Sequence, residues 1–128
     1  MVIDASALIA ILRDEPEGRE LQQKVRSAFP RLAGAPTVVE ASIVMLTRFG
    51  EQGLDDLRAY LGAAAVEIVP LAASHVDLAT DAYRRFGKGR HRAGLNFGDC
   101  LSYALARATG EPLLFKGDDF IHTDVGRA

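Results

Sequence analysis

The chain has one cysteine and no tryptophan among its 128 residues. A lone Cys100 cannot form an intrachain disulfide, and the N-terminus has neither the basic stretch nor the cleavage site of a secretory signal, so a reducing cytoplasm is the expected compartment. Apolar runs such as Ala5 to Leu12 and Ala63 to Val66 fall far short of the ~20 residues that span a bilayer, and no membrane association is expected. Nor is there a large charge of one sign. Fifteen Lys and Arg against 17 Asp and Glu leave a net charge of −2, which excludes a uniformly basic surface for a polyanion. No G-x-x-x-x-G-K-S/T or G-x-G-x-x-G loop and no G-x-S-x-G elbow occurs, which removes the main sequence support for nucleotide-binding enzymes and serine hydrolases.

What remains has the size and balance of one globular domain, expected over residues 1–128, with 48% hydrophobic and 25% charged residues. Met1 to Asp4 reads as a short apolar strand ending in a carboxylate, and Ala5 to Arg13 as a buried helix. Asp14-Glu15-Pro16-Glu17 starts a second helix with Leu21, Val25 and Phe29 as its apolar stripe, ending near Pro30. Gly34 to Pro36 is a linker or very short strand. Thr37 opens a helix to about Phe49, Gly50 and Gly53 punctuate, and Leu54 to Ala65 is helical again. Val66 to Pro70 suits a strand, Ser74 to Phe86 a helix, Asn96 to Ala108 another, and Pro112 to Phe115 a final apolar strand. Strands that are apolar throughout, alternating with helices, predict an α/β fold with a parallel sheet covered on both faces, in which ligands bind beyond the carboxyl ends of the strands.

Acidic residues recur at those places. Asp4 follows the first strand, Glu40 opens a helix, Asp99 opens another, and Asp118 and Asp119 follow the last strand. Each has an ordinary local explanation. Asp4 suits a helix N-cap, Thr37 and Glu40 match a capping box, Asp99 stands three residues after Asn96 at the positive end of a helix, and Gly-Asp-Asp is a common turn. Together, however, carboxylates gathered at one sheet edge repel one another unless a divalent cation neutralises them, and all-oxygen ligands favour Mg²⁺ or Mn²⁺. Zinc is disfavoured because His75, His91 and His122 lack paired ligand spacing and Cys100 reads as a small core residue.

Between residues 84 and 92 lie Arg84, Arg85, Lys88, Arg90 and Arg92, with no acid among them. They leave ten basic residues against 17 acids in the remaining chain, so charge is segregated. The run offers a dock for a phosphate backbone, a solvated surface, or a contact for an acidic protein. Gly87, Gly89 and Gly94 are expected to let this loop move around a strand.

The stretch Phe86-Gly-Lys-Gly-Arg-His-Arg-Ala-Gly-Leu-Asn-Phe-Gly-Asp99-Cys-Leu-Ser-Tyr-Ala-Leu-Ala106 closely resembles the corresponding segment of the VapC toxins, a branch of the PIN-domain ribonucleases. Met-Val-Ile-Asp4-Ala-Ser6, the position of Glu40, and Leu113-Leu-Phe-Lys-Gly-Asp-Asp-Phe120 with Thr123-Asp124 resemble the same family. The resemblance implies a three-layer α/β/α sandwich with a mainly parallel sheet and Mg-dependent endoribonuclease activity. Asp4 and Asp99 would bind Mg²⁺ (Mn²⁺ substituting), Glu40 would complete the core and orient or deprotonate a water, and Asp118, preferred over Asp119, would add a fourth acid. Ser6 would orient a carboxylate or water, and the basic loop would hold RNA. A VapB-type antitoxin and a toxin homodimer, within a larger complex, are implied as partners. The rival reading is a catalytically weak PIN protein that only binds antitoxin or RNA. A phosphoacceptor domain or a dehalogenase-type phosphatase fits poorly, because Asp4-Ala5-Ser6 lacks the second acid that either would place there.

Overall fold

The computed structural model describes residues 1–128. In chain order the elements are β1 (Val2–Ile3), α1 (Ala5–Leu12), α2 (Gly18–Ser27), β2 (Leu32–Gly34), α3 (Ala35–Ala63), β3 (Glu67–Val69), α4 (Ser74–Phe86), α5 (Phe97–Thr109) and β4 (Leu113–Leu114), followed by a 3₁₀ turn over Asp119–His122. All strand pairings are parallel, in the order β3-β2-β1-β4, with Val2 opposite Leu32 and Leu113, and Leu32 opposite Glu67.

Alternation along two-residue strands divides the core into two halves. Ile3 and Leu114 face one way, packing with Leu8 of α1, Leu21 and Val25 of α2 and Met45, Leu57 and Leu61 of α3. Val2 and Leu113 face the other way, packing with Ala82 and Phe86 of α4 and Tyr103 and Leu105 of α5. The result is the helix, sheet, helix layering expected from apolar strands, except that β3, at the sheet edge, leaves Glu67 and Ile68 exposed. No helix is long and apolar enough to cross a membrane.

Several boundaries differ from the sequence reading. The second helix ends at Ser27, so Phe29, read as part of its apolar stripe, lies beyond it and is 92% exposed, and β2 is Leu32–Gly34, ahead of the short strand or linker expected from Gly34 to Pro36. The helix expected from Thr37 begins at Ala35, because Pro36 in its first turn carries a backbone angle already set for a helix and Gly34 takes the N-cap position. The break expected at Gly50 is present, with φ +66°, a conformation glycine enters without a Cβ clash. The two arms nevertheless continue so closely across it that Gly53 approaches the Met45 carbonyl, where an added Cβ would stand at 2.6 Å. The C-terminal turn beyond β4 winds into a 3₁₀ helix, which the Gly-Asp-Asp pattern alone did not specify.

Candidate active site

Because the strands are parallel, their carboxyl ends share one edge, and chain segments leaving that edge converge there. Asp4 stands at its centre, 5% exposed. One of its oxygens accepts from the Ser6 backbone N–H at 3.0 Å and the Ser6 hydroxyl at 2.7 Å. The other accepts from the Ser102 hydroxyl of α5 at 2.6 Å, and Ser102 lies 3.2 Å from the buried Thr37 hydroxyl of α3. Ser6 in turn accepts from the Lys116 backbone N–H, 3.0 Å away, just past β4. A helix cap needs only the first of these bonds. The remainder hold the Asp4 carboxylate in register with α3, α5 and the segment after β4.

The capping box read from Thr37 and Glu40 does not form. Starting the helix at Ala35 turns Thr37 inward to Ser102, and α3 has no side-chain cap. Glu40 is left for another use. Its carboxylate lies against the first turn of α5, where a Cβ on Gly98 would stand 2.6 Å from Oε2. Although the residue as a whole is exposed, crowding of that end raises its pKa, and the charge of Asp4 adds to the shift.

The box read from Asn96 and Asp99 does form. Asn96 Oδ1 accepts from the Asp99 N–H and Asp99 Oδ2 from the Asn96 N–H, both at 2.9 Å. A capping carboxylate ordinarily has a depressed pKa, because a backbone N–H favours its charged form. Asp99 departs from this. Burial pushes it up to about 6, against the pull of the Asn96 N–H, and the charges of Asp4, Asp119 and Glu40 push the same way. Among the charges that push Asp99 up is that of Asp119, at the start of the 3₁₀ turn that Asp118 precedes. As the side chains stand, no three of the acids meet closely enough to coordinate an ion. The donor set is nonetheless all oxygen and under mutual repulsion, which is the chemistry a hard divalent cation fits.

The basic segment is less uniform and more fixed than its sequence implies. Arg84 pairs with Asp81 at 2.9 Å and Arg85 with Asp124 at 2.7 Å. Asp124 also accepts from the Tyr103 hydroxyl at 2.7 Å, so it fastens the C-terminal segment to α4 and α5. The backbone of this loop is tied at several points. Leu95 donates to Phe86 and Lys88 to Leu95, while Gly94 donates to the His91 carbonyl and Ala93 to His91 Nδ1. Lys88, Arg90 and Arg92 are exposed, and Arg90 lies over the Tyr83 ring, 5.7 Å from its centroid.

Sequence reasoning missed Ser102 and Gly98. Ser102 is one turn beyond Asp99 on the same helix face, a spacing that would have found it. Gly98 gave no signal, since its partner Glu40 is remote in sequence.

The sequence pattern of the PIN domain matches residues 1–126. The chain belongs to the PIN-domain family. Within it, the chain is 50% identical over 125 residues to ribonuclease VapC30 of Mycobacterium tuberculosis, covering 98% of this chain and 95% of that one. This places it in the VapC branch. Among solved structures, the M. tuberculosis toxin VapC20, which cleaves the sarcin-ricin loop, superposes with a TM-score of 0.79 at 16% identity, covering 99% of this chain and 97% of that one. A chain of a toxin–antitoxin complex from Klebsiella pneumoniae superposes with a TM-score of 0.71 at 16% identity, covering 96% and 92%. At such identity these two speak for the fold.

Proposed function

We propose that this VapC-family protein is the toxin of a toxin–antitoxin pair and hydrolyses RNA phosphodiester bonds at the carboxylate edge, with Mg²⁺ as its metal. The observation that carries the site is the field at Asp99, where burial and three further carboxylates raise the proton affinity of an acid already capped by a backbone N–H. Asp4 and Asp99 are the metal ligands. When held there, Mg²⁺, or Mn²⁺ in its place, would supply a water of lowered pKa and charge neutralisation at the phosphate.

Asp4 is held for its task by Ser6 and Ser102, which leave it little rotational freedom. Glu40, whose carboxylate burial and the charge of Asp4 make more basic than usual, orients the attacking water and takes its proton. Asp119 is the fourth acid, in preference to Asp118. Lys88, Arg90 and Arg92 hold the RNA backbone against the repulsion of these acids. Arg84 and Arg85 contribute less, because Asp81 and Asp124 already engage them. The VapC relatives support an antitoxin partner; that it is of VapB type, and that the toxin forms a homodimer, belong to the same proposal.

The lack of three preassembled ligands favours one rival, a PIN protein that only binds RNA or antitoxin. Incubating total cellular RNA with the antitoxin-free protein decides between them, using Mg²⁺, EDTA and a folded Asp99→Asn variant. Discrete Mg²⁺-dependent cuts that vanish in the variant are expected. No cutting, including of RNA from the native host, would leave the binding-only reading.

A further inference from the structure

Phe97 opens α5 with 79% of its surface exposed. It is no loose loop residue, because the reciprocal Asn96 and Asp99 bonds fix the turn on which it stands. The ring separates two apolar clefts. One, of about 530 Å³, is shared with Val39, Ile43 and Glu40. The other, of about 330 Å³, is shared with Thr80, Tyr83 and Cys100. The first cleft therefore includes an acid of the candidate site in its wall, and the second faces the basic loop through Tyr83, whose ring lies beneath the Arg90 guanidinium. The Tyr83 hydroxyl donates to the Lys88 carbonyl at 3.3 Å, tying this wall to that loop.

We propose that Phe97 is a stacking platform for the nucleobase beside the scissile phosphate, with the cleft between Phe97 and Tyr83 as its slot. This rests on the reading of the chain as a ribonuclease. A nucleotide is a flat apolar ring attached to an anion, and the site answers both parts, with Phe97 on α5, Tyr83 on α4 and the cations on the loop that joins these helices. Aromatic rings accept the base, and the cations at Lys88 and Arg90 accept the backbone. Asp99 stands two residues on from Phe97, and Glu40 lines the neighbouring cleft on the other side of the ring, so a base seated against Phe97 brings its phosphate toward these acids. A protein segment docking on the ring would satisfy the apolar clefts but has no need of acids on one side and unpaired cations on the other.

Phe97 makes its contacts at the surface, so substitution leaves the fold intact, which thermal melting verifies. The test uses a short single-stranded RNA carrying 2-aminopurine, bound in the Asp99→Asn background so that no cleavage intervenes, and steady-state cleavage in the otherwise native protein. Phe97→Ala is expected to weaken binding about 5- to 150-fold, the range for losing one stacked base, and to relieve quenching of the probe. The loss should appear in KM while kcat changes little. Phe97→Tyr and Phe97→Trp should restore binding and quenching, whereas Phe97→Leu, apolar but without a π face, should not. Binding by Phe97→Leu equal to the native residue overturns the proposal, as does a Phe97→Ala variant that binds RNA normally but shifts the oligomeric state, which would assign the ring to a protein interface. In either case Mg²⁺-dependent cleavage by the native protein would leave the ribonuclease reading standing. Failure of the native protein both to bind and to cleave RNA overturns both.

Discussion

Asp99 holds its proton to about pH 6 in the folded chain, against an ordinary value of 3.8. Folding therefore takes up a proton between these values, and stability falls as pH rises through that window. Above it the ionised carboxylate costs up to about 3 kcal/mol, at 1.36 kcal/mol for each pKa unit, less what partial solvent access screens. Asparagine keeps the oxygen that accepts from Asn96 and discards the charge. In metal-free buffer Asp99→Asn should gain about 1–3 kcal/mol at pH 7 and almost nothing at pH 4, read from urea unfolding at the two pH values. An equal gain at both would mean that charge is not the cause. Gly98 makes a complementary case. Alanine there is the better helix former by up to about 1 kcal/mol, yet its Cβ would stand 2.6 Å from the Glu40 carboxylate. Because Glu40 is flexible it moves and the fold does not. Gly98→Ala should melt no lower than the native protein while losing about tenfold or more of its cleavage rate, in the range a positioned acid–base group contributes. Full activity would mean that the resting place of Glu40 is unimportant.

At the scale of elements, a run of five basic residues divides into a paired and an exposed group. Arg85 reaches Asp124, 39 positions away, and stands over the Phe86 ring at 4.6 Å. Arg85→Ala should lower the melting temperature through the loosened C-terminal segment and leave the salt dependence of RNA binding almost unchanged. Reversing Arg90 and Arg92 to Glu should do the opposite, leaving the melt unchanged and weakening RNA cleavage about tenfold or more. The binding slope against log salt should also fall by about 0.7 for each phosphate of a single strand that the loop no longer neutralises. Cleavage unaffected at low and physiological salt would remove the loop from the RNA surface. These contrasts also mark what the sequence could and could not convey. Periodicity and apolar strands made the layering and the junction acids Asp4 and Asp99 readable, because short-range rules govern them. The basic run looked uniform because Asp124 is distant in the chain. Thr37 and Glu40 looked like a capping box because that pattern is local, whereas Pro36 moved the helix start and Ser102, on another helix, supplied the buried partner. A choice between Asp118 and Asp119 turns on how the last turn winds, which two adjacent identical residues cannot encode.

Over the whole molecule, a net charge of only −2 conceals an acidic sheet edge beside exposed cations. The edge is tolerated for unequal reasons. Asp4 is compensated by hydrogen bonds, so Asp4→Ala would leave the Ser6 and Ser102 hydroxyls without their acceptor, at about 1–3 kcal/mol for each one that stays buried. Loss of activity in that variant would therefore mix folding with chemistry. Asp99 is compensated less than Asp4, since its only bonded relief is the Asn96 N–H. A cation that neutralises this edge binds the folded chain and not the unfolded one, and must stabilise it by mass action. Mg²⁺ at about a hundred times its dissociation constant should add about 2.7 kcal/mol to the unfolding free energy. Potassium at matched ionic strength should add far less, because screening acts on all exposed charges without selecting this edge. Asp99→Asn, already relieved of its charge, should start from a higher stability and gain little from Mg²⁺. If Mg²⁺ and potassium stabilise equally, or if the variant gains as much as the native protein, the acids of the sheet edge do not form a metal site.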